Sequence, residues 1–280
     1  MREIPCSEIT KLVRDLCIRA NCVLPGDVRC AIRAAREGEA SPVGRSILGD
    51  VVENYTFAGE KTLPICQDTG MAVVFADLGQ ECHITGGLLE EAVNAGVAAG
   101  YTEGFLRKSI VGDPLRRVNT EDNTPAVLHL RLVPGDTLTL TVAPKGAGSE
   151  NMTTLRMLRP SAAQADVEDA IVRAVSDAGS NPCPPVVVGV GLGGSSEQCA
   201  LLAKRALLRP LDEENPDPFY AEMERRLLER INRLGIGPQG LGGTVTALAV
   251  SILPAATHIA QLPVCVNLCC HVCRHATGVL

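Results

Sequence analysis

An α+β fold, with helices surrounding a small antiparallel sheet, is what this 280-residue sequence predicts. Three observations point there. Several stretches place apolar residues three and four apart, the spacing that gives a helix one buried face. Others are short β-rich runs, and two of them, 125–133 and 137–143, are joined by the turn sequence Pro134-Gly135-Asp136. The two kinds are mixed along the chain with no internal repeat and no low-complexity linker, so a single domain over 1–280 is expected.

The elements follow in order. Ser7 is placed to cap a helix running to about Ala20, with Ile9, Leu12, Val13 and Leu16 as its apolar stripe. Pro25-Gly26 breaks the chain. Asp27 is placed to cap a second helix carrying Val28, Ile32 and Ala35. A third covers Pro42 to Phe57, with Ile47, Leu48, Val51, Val52 and Tyr55 inward. Met71 to Asp77 reads as a short buried strand, and Gly86-Gly87 opens a helix of about 87–103. In the proposed hairpin, Leu128, Leu130 and Leu132 alternate with His129 and Arg131, which predicts one buried face. Its second strand delivers the glycine-bearing loop from Lys145 to Ser149. Asp166 to Ala178 is helical, Pro185 to Gly191 a short apolar strand, and Ser195 to Leu208 a helix. Pro216 to Leu234 is the longest amphipathic helix, with Phe219, Met223, Leu227, Ile231 and Leu234 on its stripe; Thr244 to Ile252 is apolar and short.

Composition limits the function. The chain has no Trp, four Phe and three Tyr, so its core must be aliphatic. A formal charge of −6 without a basic block argues against a nucleic-acid partner. The start, Met1 to Cys6, is charged and lacks the apolar run of a signal peptide. No segment reaches the roughly 18 apolar residues that would span a membrane. A cytoplasmic location with no membrane partner is therefore expected, and the twelve cysteines read as thiols.

The stretch Pro64-Ile65-Cys66-Gln67-Asp68-Thr69-Gly70 sets a thiol, an amide, a carboxylate and a hydroxyl side by side. Thiolate is the ligand of iron–sulfur clusters. Cys183 stands between prolines in Asn181-Pro182-Cys183-Pro184-Pro185, which fix the local backbone. The tail offers Cys265, Cys269, Cys270 and Cys273. These positions are too widely spaced for a ferredoxin-like run. On sequence context alone, Cys66 is as readily a buried thiol as a ligand. His258, among apolar neighbours, reads on its own as a core histidine. The loop Lys145 to Asn151, which includes Gly146 and Ser149, resembles a small anion-binding nest. Gly191-Leu192-Gly193-Gly194 matches no complete nucleotide fingerprint and reads as a strand-to-helix turn.

PICQDTG at 64–70, LRKSIVGDPL at 106–115, APKGAGSEN at 143–151, NPCPP at 181–185, GLGGSSEQC at 191–199 and HIAQLPVCVNLCCHVCRH at 258–275 together carry a resemblance. The chain resembles the α subunit of the two-subunit, iron–sulfur-dependent fumarases and tartrate dehydratases, the class I hydro-lyases. The resemblance implies the iron–sulfur hydro-lyase α-subunit fold. It also implies a [4Fe-4S] cluster on Cys66, Cys183 and Cys270, acting as a Lewis acid without electron transfer. It implies an Asp68–His258 pair as catalytic residues. Gln67, Asp68, Arg107, Gly146, Ser149 and Asn151 are implied at a small dicarboxylate substrate, Arg107 as the cation. Ala147 stands where the family usually has a glycine; a positive φ there would strain it. Reversible hydration of fumarate to (S)-malate follows as the expected activity, completed by a β subunit in an (αβ)₂ assembly. L(+)-tartrate dehydratase is the alternative. A zinc-binding structural or interaction module, suggested by the Cys/His-rich tail, and a redox protein are the readings from other classes.

Overall fold

The computed structural model describes residues 2–280. In chain order its elements are β1 (Arg2–Pro5), α1 (Cys6–Cys22), α2 (Gly26–Gly38), α3 (Pro42–Lys61), β2 (Met71–Gly79), β3 (Cys82–Thr85), α4 (Leu89–Glu103), β4 (Val127–Val133), β5 (Leu138–Lys145), α5 (Ala147–Glu150), β6 (Thr154–Leu158), α6 (Gln164–Ala178), β7 (Val186–Gly193), α7 (Ser196–Ala206), α8 (Pro218–Asn232), β8 (Ala247–Ala255), β9 (Leu262–Cys269) and β10 (Ala276–Val279). The α+β class holds. The sheet content is richer than one small antiparallel sheet: two four-stranded mixed sheets and a two-stranded parallel one, β1 with β3. No helix among the described residues is long and apolar enough to cross a membrane.

The chain divides into two compact units. The first holds the chain up to Pro25, Asn54–Ala147 and Arg274–Leu280; the second holds Gly26–Glu53 and Gly148–Cys273.

In the first unit the sheet order is β10-β5-β2-β4. The central strand β2 is a continuous apolar run buried from Ala72 to Ala76, as a strand covered on both faces should be. Ile9, Val13, Leu16 and Cys17 of α1 join Val93, Val97 and Tyr101 of α4 over Ala72, Val74, Leu138, Leu140 and Val142. Each such fully buried aliphatic side chain contributes roughly 1.5–3 kcal/mol. Gly96 and Gly100 let α4 lie directly on α1. A methyl at either would come within 2.6 Å of Val13 Cβ or 2.8 Å of Cys17 Cβ.

Two expectations are corrected here. Residues 125–133 and 137–143 do not form a hairpin. Strand β4 pairs with β2 in parallel and β5 pairs with β2 antiparallel, so β2 lies between them. The apolar β2 run buries both its edges this way, and the Pro134-Gly135-Asp136 turn closes over the end of β2. Glu81 N–H donates to Gly135 O (2.9 Å) and Gly79 N–H to Thr137 O (2.8 Å). As the edge strand, β4 leaves Leu130 and Leu132 53% and 66% exposed, so the alternation does not produce a fully buried face. Ser7 lies inside α1, which begins at Cys6 after Pro5 and has no side-chain cap.

In the second unit the order is β6-β9-β7-β8. Val188 and Val190 of β7 face α6 and α8, packing with Ile171, Ala174, Met223, Leu227 and Ile231. Gly189 and Gly191 alternate with them and face α7. A methyl on Gly191 would sit 2.0 Å from Cys199 O, and one on Gly189 2.2 Å from Ala203 O. Helix α7 therefore rests on bare strand backbone, and the unit is layered helices–sheet–helix. Gly191 to Gly193, expected in a strand-to-helix turn, are instead the last residues of β7, and the turn into α7 is confined to Gly194 and Ser195. Asp217 caps α8 by accepting from Phe219 N–H (2.9 Å); Phe219 itself is 55% exposed and leaves the apolar stripe. Asp27 does not cap α2, which begins at Gly26; its carboxylate accepts from Leu211 N–H (2.9 Å).

Candidate active site

The Cys66 loop joins α3 to β2 in the first unit and is tied at both ends. Ile65 N–H donates to Asn21 O (3.0 Å), and Asn54 Nδ2 donates to Ile65 O (2.9 Å). Gly70 closes it with a φ of 72°; a methyl there would lie 2.7 Å from the Lys145 backbone, so the position requires glycine. The Tyr101 hydroxyl, wholly buried, lies 2.8 Å from Thr69 O and 3.0 Å from Gly70 O. Burial pushes its pKa up, so it stays a donor. Between these anchors Cys66 and Asp68 are half-buried and Gln67 is exposed.

Asp68 is held rather than loose. One carboxylate oxygen accepts from Gly70 N–H (3.0 Å), the other from Ala147 N–H (2.9 Å), and its main-chain carbonyl accepts from the buried Arg274 guanidinium. Gly146 is drawn in as well: a methyl there would stand 3.1 Å from Asp68 Oδ2. One N–H of the expected anion nest is thus given to the chain's own carboxylate. Ala147 has no positive φ and opens α5, so it carries none of the strain a glycine-only position would impose. Thr69 Oγ1 donates to Arg107 O (3.1 Å). The Arg107 side chain is exposed, and its guanidinium has no hydrogen-bond or ion-pair partner among the described residues.

The remaining predicted residues stand in the second unit. Cys183 is exposed and has a φ of 56°, uncommon for a residue with a Cβ. Its backbone is gripped on both sides. Its N–H donates to Ser180 O (3.0 Å), and its carbonyl lies 3.0 Å from His271 Nδ1, satisfied when Nδ1 carries the proton. Gln239 donates both main-chain N–H and Nε2 to the next carbonyl, Pro184 O, at 2.8 and 2.9 Å. Of the tail thiols, Cys265, Cys269 and Cys273 are buried and Cys270 is half-buried. Burial pushes the Cys265 thiol up to about 12 and that of Cys199 to about 11. None of the twelve cysteines is in a disulfide. His258 is not a core histidine: it is exposed on the β8–β9 connection and accepts from Ala260 N–H at Nδ1 (3.1 Å), so its neutral ring carries the proton on Nε2. Ser149 is buried and Asn151 exposed. Among the described residues no three His, Cys, Asp or Glu side chains are grouped to hold a metal ion.

The family described as fumarate hydratase (Fumerase) matches residues 10–279. The chain belongs to that family. It is 38% identical over 275 residues to a Methanocaldococcus jannaschii protein provisionally named L(+)-tartrate dehydratase subunit alpha, covering 96% of each chain. It is 32% identical over 275 residues to the L(+)-tartrate dehydratase subunit alpha of Escherichia coli K12, covering 97% of this chain and 90% of that one. The same subunit of Shigella sonnei gives the same figures, 32% over 275 residues. The fold described here is thus that of a hydro-lyase family.

Side chains that hold the backbone around these residues carry no sequence expectation: Tyr101, Asn123 and Arg274 in the first unit, and Gln239 and His271 in the second. Arg274 and His271 lie inside the tail motif CCHVCRH, beside the candidate thiols. Tyr101, Asn123 and Gln239 have no such signal. They act through backbone carbonyls that only the folded chain brings near.

Proposed function

We propose that this chain is the cluster-bearing α subunit of a class I hydro-lyase that adds water to fumarate to give (S)-malate, and the reverse. The carrying observation is the Cys66 loop: a thiol, an amide and a firmly held carboxylate at a tip tied at both ends, with the backbone of the unpartnered Arg107 pinned to it. The donor set fits a [4Fe-4S] cluster. Cys66, Cys183 and Cys270 are the thiols of their segments that stay partly or wholly exposed, while the other tail thiols are buried, one pushed far up in pKa. Those three would hold the cluster, which supplies a Lewis-acidic iron when bound.

The chain's own residues supply the rest. Arg107 offers two parallel N–H donors to one substrate carboxylate, and Gln67 donates to a carboxylate oxygen. Asp68 and His258 handle the proton that joins or leaves carbon. Asp68, whose carboxylate is held by two backbone N–H groups, takes the proton in the malate-to-fumarate direction and returns it in the reverse, while His258, with Nδ1 accepting from Ala260 N–H, offers its Nε2–H as a hydrogen-bond donor. A β subunit in an (αβ)₂ assembly completes the substrate site, in a cytoplasmic setting.

The names of the relatives favour a second substrate, L(+)-tartrate, which carries one more hydroxyl. One experiment tests both. The chain is reconstituted anaerobically with iron and sulfide, alone and with its β subunit, and initial rates are taken on malate and tartrate. About four irons with matching sulfide, turnover only in the pair, and a preference for malate are expected. Preference for tartrate selects the second substrate. Zinc without sulfide, or full turnover by this chain alone, overturns the proposal.

A further inference from the structure

The segment that presents Arg107 belongs to no helix or strand, yet its backbone is held residue by residue. Arg107 O accepts from Thr69 Oγ1 (3.1 Å), Lys108 O accepts from Asn119 Nδ2 (2.9 Å), and Ser109 N–H donates to Asn123 Oδ1 (2.7 Å). Asn123 is the hinge of this arrangement. With its other end, Nδ2, it donates to Gly70 O (3.1 Å). It is 0% exposed and has a φ of 63°, a conformation that asparagine tolerates better than most residues. One short amide thus staples the Cys66–Gly70 loop to the Arg107–Ser109 segment, accepting from one and donating to the other. Aspartate would lose the donor, and glycine would lose both ends while keeping the backbone.

We infer that Asn123 is a positioning residue that fixes the backbone presenting Arg107 against the Cys66–Gly70 loop, so that the residue sets affinity for the substrate carboxylate without touching it. This rests on the hydro-lyase reading above. Thr69, 2% exposed, is the second staple between the same two segments. An exposed arginine on an unsupported loop would sample many positions. Holding its backbone at three consecutive residues removes the loop's share of that freedom before substrate arrives.

The test compares wild type, Asn123→Gly and Asn123→Asp in the assembled holoenzyme. Glycine accepts the positive φ without strain, so its effect isolates the two lost hydrogen bonds. Asn123→Gly is expected to raise KM about 10- to 100-fold, with kcat reduced about threefold or less and iron content unchanged. Asn123→Asp keeps the Ser109 contact and is expected to fall between. Hydrogen exchange gives a readout independent of turnover: the Ser109 amide should exchange roughly tenfold faster in Asn123→Gly and keep its protection in Asn123→Asp. Unchanged exchange at Ser109 overturns the staple itself. Faster exchange with an unchanged KM, or an equal loss in kcat and kcat/KM, overturns its role in affinity. If Asn123→Gly does not assemble, an unchanged KM in Asn123→Asp overturns it as well. A wild-type holoenzyme inactive on both malate and tartrate sinks the functional reading instead, and leaves the exchange result standing.

Discussion

Four cysteines crowd the nine residues from Cys265 to Cys273, and burial alone sorts them. Cys265 has 0% exposure and a thiol pushed up to about 12, so it stays protonated and is a poor ligand as it stands. Cys269 and Cys273 are also buried, and Cys273 Sγ lies against Leu207 O. Cys270 alone of the four is half-buried. Cys270→Ser is therefore expected to lose bound iron and at least a hundredfold of turnover. Cys273→Ala should keep its iron and sulfide and lose only about 1–2 kcal/mol of stability through the small cavity. Anaerobic iron and sulfide analysis of the two variants, beside a denaturant midpoint, checks both. Loss of iron in Cys273→Ala with retention in Cys270→Ser would exchange their roles. The sequence could offer four thiols here but not choose among them without the resemblance, because the choice depends on how the chain runs once β9 has ended at Cys269.

At the scale of elements, the α2–α3 connection shows how a single carboxylate organises a turn. Glu39 is 2% exposed and accepts from Ser41 N–H (2.8 Å), Thr244 N–H (2.8 Å), Val245 N–H (2.8 Å) and the Thr244 hydroxyl (3.1 Å). Burial by itself raises its pKa; the hydrogen bonds outweigh that and lower it below the ordinary value of 4.5. A depressed carboxylate contributes stability that is present above the unfolded-state pKa and lost as pH falls through the folded one. Glu39→Gln should therefore cost about 2–4 kcal/mol at pH 7, by loss of charge-assisted acceptors. The difference from wild type should shrink as pH falls below about 4.5. Urea midpoints at neutral and acidic pH measure this; an equal gap at both would mean that the charge is not what holds the turn. Nothing in Glu39-Ala40-Ser41 announces such a latch, since Thr244 and Val245, which supply the rest of its bonds, lie 205 and 206 residues away. By contrast, α1, α3, α4, α6, α7 and α8, and strands β2 and β7, were legible from period and punctuation because their burial is local in sequence. The hairpin was misread because turn chemistry is also local, while the insertion of β2 between β4 and β5 is decided by which strand has two apolar faces to bury. Strands β1, β3, β6, β9 and β10 went unread: four are only four or five residues long, and β9 was hidden among its cysteines.

For the whole molecule, composition decides the character of both cores. With no Trp and few Phe or Tyr, both are built from Val, Ile, Leu and Ala, and Tyr101 is the one aromatic ring among the fully buried large side chains of the described residues. The second unit also depends on a segment distant in sequence, Gly26–Glu53, which brings Glu39 to Thr244 and Asp27 to Leu211. The fragment 148–273 expressed alone is therefore expected to show no cooperative thermal unfolding. Adding a peptide of residues 26–53 should restore part of it. Calorimetry of the fragment with and without that peptide decides, and a sharp transition in the fragment alone would show that the segment is dispensable.

The chain passes between its two compact units after Pro25, Glu53, Ala147 and Cys273. No single breakpoint in the coding sequence therefore separates them, and an exchange with a relative that swapped one unit would need all four joints to fall correctly at once. Variation should accumulate as substitutions spread through both bodies rather than as the trading of one for another.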